Sequence, residues 1–244
     1  MKKWKKPAII LVVLLVGAFW VQAQGFSLFL DNGFQALFYH SMQIERNFPG
    51  VNPLGIALEE FDKAVKEGDP SGEGLLMMGM VYQHLNRPGT ALGYYLEFAR
   101  TQPDEVWVYP LIGELYYGMG RIQEATTYYA MAVPGDEEDE SFARAYLGLG
   151  QIAFEQGDYL GAKDAFEQAL ETSGDFLDAR LALGKTLYYL EDYDQAIETL
   201  ERAQLQAPRS PSVLYYLGLS YEAVGRSEQA QHSFQRMDEV QATR

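Results

Sequence analysis

Leu181-Ala-Leu-Gly-Lys-Thr-Leu-Tyr-Tyr-Leu-Glu-Asp-Tyr-Asp-Gln-Ala-Ile-Glu-Thr-Leu-Glu-Arg-Ala-Gln-Leu-Gln-Ala-Pro208 decides the fold of this chain. Within it Gly184 precedes Ala196 by twelve positions, and Leu200 follows four positions later. The same trio recurs as Gly79, Ala91 and Tyr95, as Gly113, Ala125 and Tyr129, as Gly150, Ala162 and Phe166, and as Gly218, Ala230 and Phe234. Most of these glycines lie 34 residues apart. A fixed period of that size marks a stacked helical repeat, whose units bury their apolar faces only against neighbours.

Stepping back by 34 from the last residue places units at 211–244, 177–210 and 143–176, then at 106–139 and 72–105 once three residues, 140–142, are set aside as an insertion. The first fourteen or so residues of each unit predict a helix A about 21 Å long, with a short turn into helix B. In unit 143–176 the turn is Gln156-Gly157-Asp158. Glycine there tolerates the left-handed conformation that ends a helix, and aspartate caps the next one. The glycine and alanine of each unit are expected to let its two helices approach closely, with the large residue one turn further along the same face of helix B. Gly148, which also falls mid-helix, is expected to serve packing.

In this register the chain resembles a tetratricopeptide repeat protein over roughly residues 38–244. Leu183-Gly184, Leu187, Tyr193, Ala196, Leu200, Ala203 and Pro208 fall where that family's pattern places such residues. The resemblance implies an all-α, right-handed α-solenoid of helix-turn-helix units, five clear and one degenerate. The degenerate unit lies in 24–71 with a linker: Ala57, Phe61 and Ala64 keep the helix B spacing, while Phe48-Pro49-Gly50-Val51-Asn52-Pro53 breaks helix A. Pro110, inside another expected helix A, removes a backbone donor and either kinks that helix or delays its start. At the far end Gln229, Gln231, Gln235, Arg236, Asp238 and Glu239 make the final helix polar enough to close the stack.

The resemblance also implies a concave groove lined by helix A. Its positions fall on Met80, Gln83 and His84, on Trp107, Glu114 and Tyr117, and on Arg144, Gln151 and Phe154. They continue on Lys185, Tyr188 and Tyr189, and on Tyr215, Leu219 and Glu222. Consecutive helical residues point about 100° apart, so Tyr188 and Tyr189 are not expected to face the same way. Chaperone-binding members of the family clamp a terminal carboxylate with lysine, arginine and asparagine. Here those positions hold Leu76, Met80, Pro110, Glu114, Leu147 and Gln151, so that clamp is missing.

Charge narrows the partners. There are 34 acidic and 19 basic residues, a net charge of −15, and no basic stripe, which disfavours nucleic acid and anionic lipid. Cysteine is absent, excluding disulfides, thiolate metal sites and a lipoprotein anchor. Lys2, Lys3, Lys5 and Lys6 precede the apolar run Ala8 to Val21, followed by Val21-Gln22-Ala23. That order fits a signal peptide over 1–23 cleaved after Ala23. Because apolar character resumes at Phe26 to Leu30, an uncleaved anchor over about 7–30 fits as well. Either reading exports the remainder across the cytoplasmic membrane, leaving any membrane contact to the N-terminal segment.

No nucleophile elbow, phosphate loop or dinucleotide motif is present, and His40, His84 and His232 stand apart from one another. The run Asp136 to Glu140 reads as a solvated loop, with calcium binding a weaker alternative because it lacks the ligand alternation of known loops. The expected function is therefore a non-enzymatic adaptor without metal or cofactor, binding a protein or peptide partner in its groove and aiding assembly of a cell-envelope complex. The alternative is a carbohydrate-binding module on the same aromatic groove.

Overall fold

A computed structural model describes residues 72–133 and 140–242, together with Leu58, Phe61, Asp62, Val65 and Lys66. The N-terminal export segment, the helix break at 48–53 and the acidic side chains of 136–140 lie outside the described residues. So does most of the degenerate first unit.

Within residues 72–242, ten α-helices follow one another among the described residues: α1 Glu73–His84, α2 Pro88–Thr101, α3 Tyr109–Gly118, α4 Ile122–Ala132, α5 Glu140–Glu155, α6 Tyr159–Thr172, α7 Leu177–Tyr189, α8 Tyr193–Gln206, α9 Pro211–Ala223 and α10 Ser227–Ala242. No strand occurs among the described residues. Odd-numbered helices are the expected A helices and even-numbered ones the B helices. Each A helix packs on its own B helix, and each B helix on the next A helix, so the chain is an all-α repeat solenoid.

The five A-to-B turns are built alike. One residue in each is left-handed: Asn86, Gly120, Gly157, Glu191 and Gly225, with φ of 54°, 74°, 80°, 62° and 75°. The next residue's N–H then reaches back to a carbonyl five positions earlier, as from Asp158 to Ala153 at 2.9 Å and Asp192 to Leu187 at 3.0 Å. This closes the orphan carbonyls of the ending helix. Asp158 and Asp192 start the following helices by accepting from the N–H groups of Gly161 and Gln195.

The large residue of each trio explains the glycine. A Cβ placed on Gly79, Gly150, Gly184 or Gly218 would come within 2.4–2.5 Å of Tyr95, Phe166, Leu200 or Phe234, and one on Gly113 within 2.7 Å of Tyr129. The glycine is thus the seat of the side chain sixteen positions later. Tyr129 is seated twice, since a Cβ on Gly148 of the next unit would lie 2.3 Å from its ring. The companion alanines Ala91, Ala125, Ala162 and Ala196 are fully buried. Three polar side chains inside the stack, Thr186, Ser220 and Ser233, bond to the carbonyls of Ala182, Tyr216 and Gln229, so their hydroxyls are satisfied.

Two irregularities take definite form. Pro110 delays its helix: Val106–Val108 forms a single 3₁₀ turn, and α3 begins at Tyr109 with the proline in its first turn, where no donor is required. The residues set aside at 140–142 are helical and extend α5 to sixteen residues. At the end of the stack, α10 buries only Ala230 and Ser233, and Phe234 is half-buried where its counterparts are enclosed.

Candidate functional site

The A helices α3, α5, α7 and α9 touch in succession, which brings several of the residues expected in a groove near one another. They fall into three groups along it.

The first group is dispersed. Met80 is half-buried on α1, and His84 is exposed at its end. Exposed Gln83 accepts the hydroxyl of buried Tyr95 at 2.9 Å. Trp107 lies in the 3₁₀ turn, its ring 5.7 Å from Phe98 of α2 and its indole N–H donating to Glu105. Gln83 ties α1 to α2 and Trp107 links the first two units, and these side chains do not converge on a common point.

The second group is electrostatic. Burial pushes the Glu114 carboxyl of α3 above its ordinary range, and the Arg144 guanidinium on α5 pulls the other way. Burial also raises the phenols of Tyr95 and Tyr129, and the neighbouring Glu114 raises both further. On the same pair of helices the Tyr117 hydroxyl donates to Glu155, and its phenol is pushed up to about 12, mainly by burial and then by that bond. Gln151 is half-buried beside this group on α5.

The third group is a continuous aromatic cluster. Phe154 of α5 lies 5.3 Å from Tyr189 of α7 and 5.1 Å from Tyr159, the first residue of α6, which itself stacks on Tyr189 at 5.3 Å. Tyr188 meets Tyr189 edge to face at 5.7 Å, Tyr193 at 5.6 Å and Tyr216 of α9 at 6.1 Å. Tyr215 continues the row, 5.3 Å from Tyr216 and 6.3 Å from Phe234. Tyr188 and Tyr189 leave the helix in different directions, as the sequence requires, yet their rings close onto one cluster. Tyr189 and Tyr215 are 45% and 43% exposed, so the row is a surface rather than a core.

Lys185 sits within this row. Its ammonium is 4.2 Å from the Phe154 centroid and 5.8 Å from that of Tyr216, bridging three successive A helices through ring faces. Burial, and then Tyr189 beside it, push the Tyr216 phenol up to about 12, so it remains a hydrogen-bond donor at neutral pH. Leu219 is half-buried on α9, and exposed Glu222 borders a shallow depression formed with Phe234, Gln235 and Asp238.

Sequence reasoning missed Glu155, Tyr159, Tyr193 and Tyr216 as members of this surface. A signal for two of them was present, because Asp158-Tyr159 and Asp192-Tyr193 are the same cap-and-ring pair one period apart. Among the described residues no group of three or more His, Asp or Glu side chains is placed to hold a metal ion. No helix among them is long and apolar enough to cross a membrane.

Such a stack of helix pairs, with its side chains presented from successive A helices, defines a helical-repeat scaffold. Residues 111–176 and 153–219 each match a tetratricopeptide repeat family, so the chain carries tetratricopeptide repeats. It is 28% identical over 171 residues to cilia- and flagella-associated protein 70 of Homo sapiens, covering 70% of this chain and 15% of that protein. It is 36% identical over 93 residues to the photosystem I assembly protein Ycf3 of Prochlorococcus marinus (strain MIT 9211), covering 37% of this chain and 54% of that protein. The chain thus spans less than two thirds of either relative. Among solved structures it resembles YrrB, described as a tetratricopeptide repeat protein with an unusual peptide-binding site, with a TM-score of 0.61 at 19% identity over 76% of this chain and 94% of that one. At that identity the likeness concerns the fold.

Proposed function

We propose that this chain is a non-enzymatic scaffold that holds a segment of a partner protein on the A-helix face of α5, α7 and α9, and so helps assemble a larger complex. One observation carries the reading: rings from three successive units meet in a single, partly exposed row around Lys185. Aromatic side chains fixed by their neighbours offer large contact area at little entropic loss, and such residues dominate binding hot spots. A peptide-binding relative in fold and an assembly protein in sequence support the same reading. The order of lysines, apolar run and small residues at 2–23 supports export, which makes the setting of that assembly the cell envelope.

Replacing Tyr188 and Tyr189 together by alanine tests this. Peptides selected on the intact chain should lose at least about tenfold in affinity while the variant remains folded at the assay temperature. Undiminished peptide binding would contradict the reading, and loss of glycan binding alone would transfer the site to carbohydrate.

A further inference from the structure

Lys185 is unusual in what surrounds it. Several bases elsewhere in the described chain meet acids: Lys163 faces Glu167 at 3.7 Å, Arg226 faces Asp194 at 3.6 Å, and Arg202 faces Glu198 at 2.6 Å. Arg144, the other base on this face, has Glu114. Lys185 is half-buried as a residue, and its ammonium has two rings beside it and, among the described residues, no carboxylate within 4.0 Å, in a chain with 34 acidic residues. Ring faces attract a cation but leave its three N–H donors without strong acceptors. Glu155, next to Phe154 in sequence, accepts from Tyr117 instead. The hydroxyls around the ammonium are phenols, which donate as readily as they accept.

Resting on the reading that this face holds a protein segment, we propose that the segment is acidic: an aspartate or glutamate carboxylate docks on Lys185, with an adjacent proline or apolar side chain against Phe154 and Tyr189. The charge complementarity is local. The net charge of −15 repels an acidic ligand at long range, but the Debye length at physiological ionic strength is about 8 Å, so remote acids are screened while the contact at Lys185 is not. Affinity should accordingly hold up when salt is raised to that level, unlike binding driven by the overall field.

The test is selection of random linear peptides on the full-length chain and on Lys185→Gln, Lys185→Arg and Lys185→Glu. The wild type should enrich peptides with an acid beside a proline or apolar residue. Changing that acid to its amide should weaken binding about tenfold or more. The same change should have no effect on Lys185→Gln, should keep its effect on Lys185→Arg, and Lys185→Glu should turn the preference towards lysine or arginine. Enriched peptides that lack acids, or an amide substitution equally harmful in Lys185→Gln, would overturn the proposal while leaving a peptide-binding face in place. A phosphorylated residue preferred over glutamate at that position would replace carboxylate by phosphate and overturn it too. Failure of the wild type to enrich any peptide would remove both the acidic segment and the groove reading beneath it.

Discussion

In α1–α4 the stacked tyrosine pairs, Tyr82 on Tyr94 at 5.5 Å and Tyr116 on Tyr128 at 5.4 Å, each join helix A to helix B within one unit. In α5–α10 rings also close units, as Phe154 on Tyr159 and Tyr188 on Tyr193, but others cross: Phe154 and Tyr159 reach Tyr189, and Tyr188 reaches Tyr216, each passing from one unit to the next. Both halves keep the same glycine seats and the same left-handed turns. The difference shows that the repeat leaves its surface aromatics free to vary. Among the described residues of the first half a single ring pair, Phe98 and Trp107, crosses between units, and in the second the crossings join into a continuous face.

The contrast is broken most severely by emptying a seat. Tyr129 is buried between Gly113 and Gly148 of successive units, so Tyr129→Ala should destabilise by about 3–5 kcal/mol. A solenoid transmits such damage to its neighbours, and chemical denaturation should show a lower midpoint for the whole array. The converse error, Gly184→Leu, drives a side chain into Leu200 and should lose about 1–3 kcal/mol or more. An unchanged melting temperature for either variant would mean that the register is wrong. Gly93→Ala is the control: a Cβ there meets nothing within 4 Å, and a mid-helix glycine is disfavoured against alanine by about 0.5–1 kcal/mol, so this variant should be slightly more stable.

High pH sharpens the comparison at the surface of the second half. Tyr216 and Tyr221 are both held up to about 12, by burial first, then by Tyr189 in one case and by donation to Glu201 in the other. Their folded values exceed the unfolded value of about 10, so the contribution they make is complete below pH 10 and is lost as pH rises towards 12. Stability should therefore fall across that window, and Tyr221→Phe should flatten the fall when unfolding is followed at several pH values. Tyr216 is partly solvated, which limits its share to a fraction of the ideal linkage, whereas Tyr221 is buried and should carry more of the fall.

The smallest effect concerns a turn. Glu191 occupies, at φ 62°, the left-handed position held by Gly120, Gly157 and Gly225 in three other units. Relieving its steric conflict by Glu191→Gly, against the entropy glycine adds to the unfolded chain, should stabilise by about 0.5–1 kcal/mol in thermal melts.

The fold was legible because the trio of glycine, alanine and large residue repeats at one offset, and steric exclusion ties those identities to geometry. What spacing could not convey was the partner of each glycine. The alanine twelve positions on looked like the reason for it, but the side chain sixteen positions on is what rests there. Pro110 announced an irregular helix and the structure chose a late start over a kink. The expected groove residues were partly legible as a group: Phe154, Lys185, Tyr188, Tyr189 and Tyr215 do assemble, whereas Met80 and His84 lie on α1 away from that cluster and Trp107 packs on Phe98 instead. Position in a repeat fixes which face a residue belongs to. Whether neighbouring rings meet depends on side-chain reach between units, and Tyr159 and Tyr193 enter from helix B, where a reading confined to helix A does not look.

The claim that binding belongs to the second half is tested most directly by one pair of titrations. A peptide selected on the intact chain is titrated against Tyr188→Ala and, in the first half, against Tyr82→Ala, with melting temperatures recorded alongside. The account predicts at least about tenfold weaker binding for Tyr188→Ala with the variant folded at the titration temperature, and unchanged affinity for Tyr82→Ala. Equal affinities for wild type and Tyr188→Ala, or a loss confined to Tyr82→Ala, would contradict it.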